Sequence, residues 1–430
     1  MIKSVNFSLR PEAGRKALGL TDSPTAVIHC SAAVLHRTDP SMFKKTMLAL
    51  AVSCCAGGAA VAADVTLYGL VDYGFAYEKV SEGTEALDSE TFKMNSGMNS
   101  GSRFGLKGSE HIGDNMIVGF VLENGFNADD GTLGNGGRLF GRESQMYVAT
   151  PYGTVSFGRV GSLLSANGTY GLLGKFSPFV GGWGLHTGGR HFRLADHARY
   201  DNTITYVSPS YAGVQVLAQY SFQGDTKEVH KNGTAVENKS STDRIGNLAV
   251  TYANGPLNLI AAGQWLQWSN LDRNGTPANW REKKDGYNFL VAGSYDFGVT
   301  KLYATGEYGK HMRLKASDNK TVGGMSGSFA NWIQNTGYAD GYSGVIGADV
   351  PLFGGTLKGE FGYRYGECVV NPANDNKMFG AAIGYSYDLS KRTTLYTAGS
   401  YAHSDLGKPH QGADTTAHAY ELIGGLVHRF

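Results

Sequence analysis

Residues 65–73 read VTLYGLVDY and alternate between two kinds of side chain. In an extended chain, one face carries the apolar members, which are Val65, Leu67, Val71 and Tyr73. The opposite face carries Thr66, Tyr68 and Asp72. Because side chains of a strand point alternately to opposite sides, this period of two predicts a β-strand rather than a helix.

The same alternation recurs along the chain. Phe104 and Leu106 share one face of residues 102–109, while Arg103 and Lys107 share the other. Residues 199–206 repeat the arrangement, with aromatic and aliphatic side chains opposite charged and hydroxyl ones. A soluble sheet would bury its apolar face and expose its polar one. Strands with bulky charged side chains on one face and many aromatic side chains on the other are instead typical of a barrel with lipid outside and water inside.

Sixteen such segments can be counted between residue 65 and residue 430, and the connections between them alternate between short and long. An even number of strands with this alternation is typical of outer-membrane barrels, and sixteen strands enclose an aqueous channel. We therefore predict an all-β fold, a 16-stranded antiparallel transmembrane β-barrel that crosses the membrane many times. Pairing of 65–78 with 418–430 should close it. A long connection is expected at 79–97 and the second strand at 98–109.

Composition agrees with a strand-rich protein and argues against several other classes. The 430 residues include 61 Gly, 24 Tyr and 20 Phe, and only 17% are charged. The net charge of +1 comes without a dense basic patch, so no nucleic-acid partner is expected. Neither a P-loop nor a G-x-S-x-G motif is present, and no Cys or His pairs have metal-ligand spacing. We predict neither catalytic residues nor a metal or other cofactor.

The first 63 residues have the features of a processed leader. From Met42, two lysines precede an apolar stretch, and Ala59 to Ala63 is a small-residue cleavage site. We predict that 42–63 is a signal peptide and that 1–41 is a non-native extension from an upstream start. Residues 64–430 would then form the barrel. Lipid attachment at Cys54 or Cys55 is the alternative.

The segment after residue 63 carries 31 basic and 34 acidic side chains, because seven of the 38 Lys and Arg and three of the 37 Asp and Glu precede it. Its net charge is therefore −3. Of the four cysteines, only Cys368 remains, so an intramolecular disulfide cannot form. Since no run of 18 apolar residues occurs, secretion leaves the periplasm, the exterior or the outer membrane as destinations.

Four blocks of sequence resemble a known family. They are DVTLYG at 64–69, SRFGLKGSE at 102–110, GTVSFGR at 153–159 and RYDNTITYVSP at 199–209. On these blocks the chain resembles Gram-negative porins of the neisserial and β-proteobacterial type. The resemblance implies a trimeric outer-membrane channel through which ions and small hydrophilic solutes diffuse passively. An outer-membrane barrel with an enzymatic or adhesive role is the alternative.

In that family the third long loop folds into the barrel, opposite arginines on the wall. Arg103, Arg142 and Arg199 occupy the matching positions here. Alternation independently points Arg103 and Arg199 inward, although it does not settle Arg142. The predicted constriction comprises Arg103, Arg142, Arg199, Lys107, Lys175, Arg190, Arg193 and Asp196. Because rings of Arg and Lys favour anions, we predict an anion preference.

The segment 161–198 is the candidate for the in-folded loop. Its length, about 38 residues, is uncommon for a loop without a function. It is rich in Leu, Phe and Gly, which predicts packing against the inner wall rather than exposure. An extracellular flap or a subunit contact is the alternative. The family places acids on this loop, whereas here Asp196 is the single acid.

The C-terminal segment 418–430 alternates and ends in Phe430, with Tyr420, Leu422 and Leu426 on the same face. A terminal Phe that closes an alternating strand resembles the signal read by the barrel-assembly machinery. The resemblance also implies a homotrimer, for which 128–137 is the expected inter-subunit latch. The expected partners are therefore a second and third copy of the chain, outer-membrane lipid and the assembly machinery.

Overall fold

The structure is a computed structural model. It describes residues 64–81, 89–180, 183, 192–194, 199–228, 230, 233–271, 285–312, 338–369, 375–406 and 416–430. The predicted extension 1–41 and the predicted signal peptide 42–63 lie outside the described residues. The described part of the chain contains no helix that is both long enough and apolar enough to cross a membrane.

Seventeen strand segments, two short helical turns and their connections make up the described chain. The strands are β1 (Asp64–Ser81), β2 (Ser89–Ser96), β3 (Arg103–Ile112), β4 (Met116–Gly125), β5 (Glu143–Thr150), β6 (Gly153–Gly161), β7 (Arg199–Val207), β8 (Val214–Ser221), β9 (Arg244–Asn254), β10 (Leu257–Gln267), β11 (Gly286–Asp296), β12 (Lys301–Met312), β13 (Ala339–Leu352), β14 (Gly355–Cys368), β15 (Asp375–Asp388), β16 (Thr393–Leu406) and β17 (Thr416–Arg429). The turns are Gly134–Gly137 and the 3-10 turn Leu173–Lys175.

Each strand from β3 to β17 pairs antiparallel with its neighbour in sequence. The barrel closes because β1 also pairs with β17, from Leu70 opposite Arg429 to Ser81 opposite His418. On its other edge β1 pairs with β3 and then with β2, so these two segments are halves of one barrel strand. The predicted closed barrel of sixteen antiparallel strands is confirmed.

The second strand differs from its predicted bounds. We expected a long connection at 79–97, yet Ser89–Ser96 already pairs with β1. The break between β2 and β3 is organised by Asp72, whose side chain is fully buried. Its Oδ2 accepts hydrogen bonds from the backbone N–H groups of Asn99 (2.8 Å) and Ser100 (2.6 Å). Asp72 therefore satisfies the donors that the interrupted ladder leaves unpaired.

The two faces of the sheet carry different side chains, as the alternation predicts. Val65 and Leu67 are 55% and 60% exposed, and most exposed large apolar side chains in the other strands occupy the equivalent outward positions. The alternate positions hold buried polar groups, small residues and glycine. In the hairpin between β9 and β10, Gly255 has a φ of +54°, a conformation that favours glycine.

Candidate functional site

Three arginines meet on one wall of the barrel, and we call them, with Glu123, the arginine wall. Arg103 begins β3, Arg199 begins β7, and Arg142 directly precedes β5. Arg142 is close enough to both other arginines for their positive charges to repel each other. All three lie at the same end of their strands, toward the long connections.

Glu123, on β4, holds this cluster together. Its Oε1 lies 2.6 Å from Nε of Arg142 and 3.9 Å from a terminal nitrogen of Arg103. Its Oε2 accepts a hydrogen bond of 3.1 Å from the hydroxyl of Tyr68. Glu123 is only 6% exposed, so its charge acts at short range on the guanidinium groups around it. No motif or alternation in the sequence singles out Glu123.

The connection after β6 touches the arginine wall. Arg199 donates to Oδ1 of Asn167 (3.1 Å), while Oε1 of Glu143 accepts the backbone N–H of Thr169 (3.1 Å). Glu143 is 3% exposed and begins β5. Two carboxylates, Glu123 and Glu143, therefore accompany the three arginines. Glu143 likewise has no signal in the sequence pattern.

Lys107 lies on the same face of β3 as Arg103, but farther from the long connections. Its Nζ is 5.4 Å from the centroid of the Tyr68 ring. Arg159 belongs to an adjacent cluster, in which Asp201 accepts hydrogen bonds from Arg159 (2.5 Å) and from Arg138 (3.0 Å). The structure therefore brings Arg103, Arg142 and Arg199 together, and Arg159, which is paired with Asp201, lies beside Arg199 at the edge of this group.

The segment that follows β6 packs against strands on several sides of the barrel. Its first apolar side chains, Leu163, Leu164, Tyr170, Leu173 and Phe176, form one cluster with inward residues of β8 to β11. Phe179 and Trp183 pack with residues of β1, β16 and β17. Phe192 packs with residues of β13, β15 and β16, and Leu194 with residues of β9, β10 and β12.

Glycines on β13, β14 and β15 make room for this segment, and we call Gly347, Gly362 and Gly384 the glycine wall. A Cβ at Gly347 would lie 2.7 Å from the ring of Pro178, and one at Gly384 would lie 2.7 Å from the ring of Phe179. A Cβ at Gly362 would collide with the ring of Phe192. Glycine within a strand often marks such a close approach.

Buried acids on this side hold the same segment by hydrogen bonds. The hydroxyl of Ser177 donates to Oε2 of Glu360 at 2.7 Å, and the N–H of Leu194 donates to Oε2 of Glu307 at 3.2 Å. Arg193 acts electrostatically on Glu360. On this side of the barrel, the acids that bond to the loop therefore come from strands β12 and β14.

The other predicted site residues have varied positions. Lys175 is exposed in the 3-10 turn, whereas Arg190 and Asp196 lie outside the described residues. Phe430 pairs its backbone with Gly69 in both directions, at 3.0 and 3.1 Å. A Cβ at Gly69 would lie 2.5 Å from the Phe430 ring, so this glycine accommodates the last residue of the chain.

Three inward acids could offset the arginines, and the structure shows how two of them are held. Asp72 accepts the hydroxyl of Tyr396 (2.6 Å) besides its backbone donors. Asp201 is held by Arg138 and Arg159. Glu421 is 4% exposed on β17. No group of three or more His, Cys, Asp or Glu within the described ranges could hold a metal ion.

A closed barrel whose interior carries charged side chains can conduct ions. Known proteins that resemble this chain are channels. Residues 47–407 match a family described as Gram-negative porin. An outer membrane porin protein of Bordetella pertussis is 33% identical over 386 residues, covering 84% of this chain and 94% of the relative.

Solved structures agree at the level of the fold. An anion-selective porin from Comamonas acidovorans superposes with a TM-score of 0.62 at 23% identity, covering 86% of this chain and all of that one. The trimer form of OmpT from Vibrio cholerae gives 0.53 at 17% identity, with coverage of 86% and 100%. Together with the barrel, these matches confirm the predicted family and location: the chain belongs to the Gram-negative porin family and forms a channel in the outer membrane.

Proposed function

We propose that this channel is passive and prefers anions, and that the loop after β6 narrows it opposite the arginine wall. One observation carries the proposal: Arg103 and Arg142 both pair with the carboxylate of Glu123, and Arg199 interacts electrostatically with the same carboxylate. With Glu143 included, three guanidinium groups stand beside two carboxylates. The local charge is therefore positive, although residues 64–430 carry a net charge of −3.

The charges that lie close to the passage should outweigh the overall charge of residues 64–430. Charges that line a narrow passage with low-dielectric walls act more strongly on a passing ion than distant surface charges do. Salt screens the distant ones beyond a Debye length of about 8–10 Å. Lys107 and the exposed Lys175 add positive charge, while Asp201 is already matched by Arg138 and Arg159.

Contacts on distant sides of the barrel support an in-folded loop. Leu164 and Phe176 touch the β8–β11 side, Phe179 touches β16 and β17, and Phe192 touches the glycine wall. A segment that makes all these contacts has to cross the interior. The loop would leave an opening between its own surface and the arginine wall, which Asn167 approaches at Arg199.

We further propose that the channel has no catalytic role and assembles as a homotrimer. The solved trimer form of OmpT shares the fold, which supports a trimer for this chain. The second half of the expected latch, 128–137, folds back onto its own barrel. The side-chain oxygen of Asn135 accepts a hydrogen bond from Arg199, and the carbonyl oxygen of Gly136 accepts one from Lys227. Residues 129–133 are exposed and would supply the inter-subunit contact.

The two ends of the chain would direct its assembly. We propose that 42–63 is removed as a signal peptide and that Phe430 is read by the barrel-assembly machinery. Phe430 is 49% exposed, so its aromatic ring is accessible to a partner.

Reversal potential across a salt gradient in a planar bilayer tests the proposed selectivity. The native channel should conduct and prefer chloride to potassium. Arg103→Ala should reduce that preference, while Arg392→Ala, an exposed arginine in the short turn before β16, should leave it unchanged. A cation preference in the native channel would refute the proposal, and no conductance at all would favour an enzymatic or adhesive barrel instead.

A further inference from the structure

Two histidines on the outside of the barrel stand face to face. His403 on β16 is directly opposite His418 on β17 in the antiparallel register. Their sequence neighbours Ala402 and Ala419 are buried, so both imidazoles lie on the outward face. The two Nδ1 atoms are 3.2 Å apart, and the ring planes are tilted by 55°.

One nitrogen of this pair, Nδ1 of His418, has more close neighbours than it can hydrogen-bond. The hydroxyl of Tyr401 lies 2.8 Å from Nδ1 of His418, the same nitrogen that faces His403. An imidazole nitrogen either donates one N–H or accepts through one in-plane lone pair. Nδ1 of His418 therefore has two close neighbours and the capacity for one strong hydrogen bond.

A metal ion would use both nitrogens at once. Two metal–nitrogen bonds of about 2.0–2.1 Å, meeting at a right or tetrahedral angle, separate the nitrogens by about 2.8–3.4 Å. The observed 3.2 Å lies within that interval. We propose that His403 and His418 bind a divalent transition-metal ion of the copper, nickel and zinc class through their Nδ1 atoms. Water completes the coordination, and the Tyr401 hydroxyl is available to a bound water.

The surroundings hold the two rings in place. The Phe379 ring centroid is 4.8 Å from that of His403, and the Tyr401 ring stacks on His418 at an interplanar angle of 24°. Such packing fixes ring orientation before a metal arrives, which strengthens binding. Asp405 lies two residues beyond His403 on the same face and acts electrostatically on it, so it would offset part of the metal's charge.

The position is accessible to water. β16 ends at Leu406 and β17 begins at Thr416, so both histidines lie within three residues of the long-connection end. Aromatic belts of membrane barrels occupy this interfacial level. Imidazole suits copper, nickel and zinc, and copper binds most strongly of the three in most ligand sets.

Titration of Cu²⁺ alone into the detergent-purified protein, followed by electron paramagnetic resonance, tests the site. The native protein should show a Cu²⁺ signal with two nitrogen ligands that His403→Ala and His418→Ala each abolish. Tyr401→Phe should weaken binding by roughly tenfold, as expected for a group that acts through the ligands. His111→Ala, which removes an exposed histidine of β3, should leave the signal intact.

Conductance in a planar bilayer, measured on the same samples, shows that the variants are folded. Because both histidines face away from the interior, conductance should equal that of the native channel. The proposal is overturned if either alanine variant binds Cu²⁺ with native affinity and nitrogen count, or if the native protein shows no such signal. A change in selectivity would bear on the proposed channel function alone.

Discussion

The arginine wall and the glycine wall line one barrel interior with opposite kinds of residue. The first carries three long cationic side chains, two of which, Arg103 and Arg142, share the carboxylate of Glu123. The second carries no side chains at Gly347, Gly362 and Gly384, so that rings of the loop can reach its backbone. Under the proposed function, the first side presents charge to the channel and the second side anchors the loop.

Glu123→Gln should break the arginine side with the largest effect. The substitution keeps the shape but removes the charge that offsets Arg103 and Arg142. Hydrogen bonds to charged groups contribute about 1.5–3 kcal/mol, so the free energy of unfolding should fall by about that amount. Anion preference should rise. Denaturant unfolding and reversal potential measure both changes.

The exposed Glu110 of β3 provides the control, since Glu110→Gln should change neither quantity. If Glu123→Gln were as stable and as selective as the native channel, Glu123 would have no part in organising the arginines.

Gly362→Ala should break the glycine side. Its new methyl group would collide with the ring of Phe192, and overpacking of this kind costs about 1–3 kcal/mol. Gly359→Ala on the same strand is the matched control, because nothing lies within 4 Å of a Cβ there. Denaturant unfolding of the two variants should separate them clearly. Equal stability would mean that the loop does not need this glycine.

Ser177→Ala should have the smallest effect. It removes one hydrogen bond to the buried Glu360, which contributes about 1 kcal/mol. The loop should then loosen at this point, and brief fluctuations in single-channel current should become more frequent. Glu360→Gln, whose amide oxygen can still accept from Ser177, should be milder. Steady current in Ser177→Ala would show that other contacts suffice to hold the loop.

Strand positions were predictable where apolar and polar residues alternate. Residues 65–73 reveal both faces of β1, and the arginine that begins β3 is assigned inward by the same rule. Residues 89–96 were missed because they follow a polar stretch and their pairing depends on β1. The turn that Asp72 organises between β2 and β3 has no signature in the local sequence.

The partners of the predicted site were harder to identify. Glu123 escaped notice because Val121 and Ile117 share its face of β4, so the strand is apolar on both sides. Arg142 precedes its strand, where alternation does not apply. The apolar composition of 161–198 predicted packing against a wall. The sequence does not show which glycines lie against Phe179 and Phe192, because these contacts join residues more than a hundred positions apart.

The central claim is that ions pass the arginine wall, and charge placed at Arg103 tests it most directly. Arg103→Cys would be made in a Cys368→Ser background, which removes the one native cysteine after residue 63. Thiol reagents carrying a negative or a positive charge would then be added during bilayer recording. We expect the negative reagent to shift the reversal potential toward cation preference and the positive reagent to restore anion preference. If mass spectrometry showed complete labelling of the cysteine at position 103 and neither reagent shifted the reversal potential, the claim that ions pass the arginine wall would be contradicted.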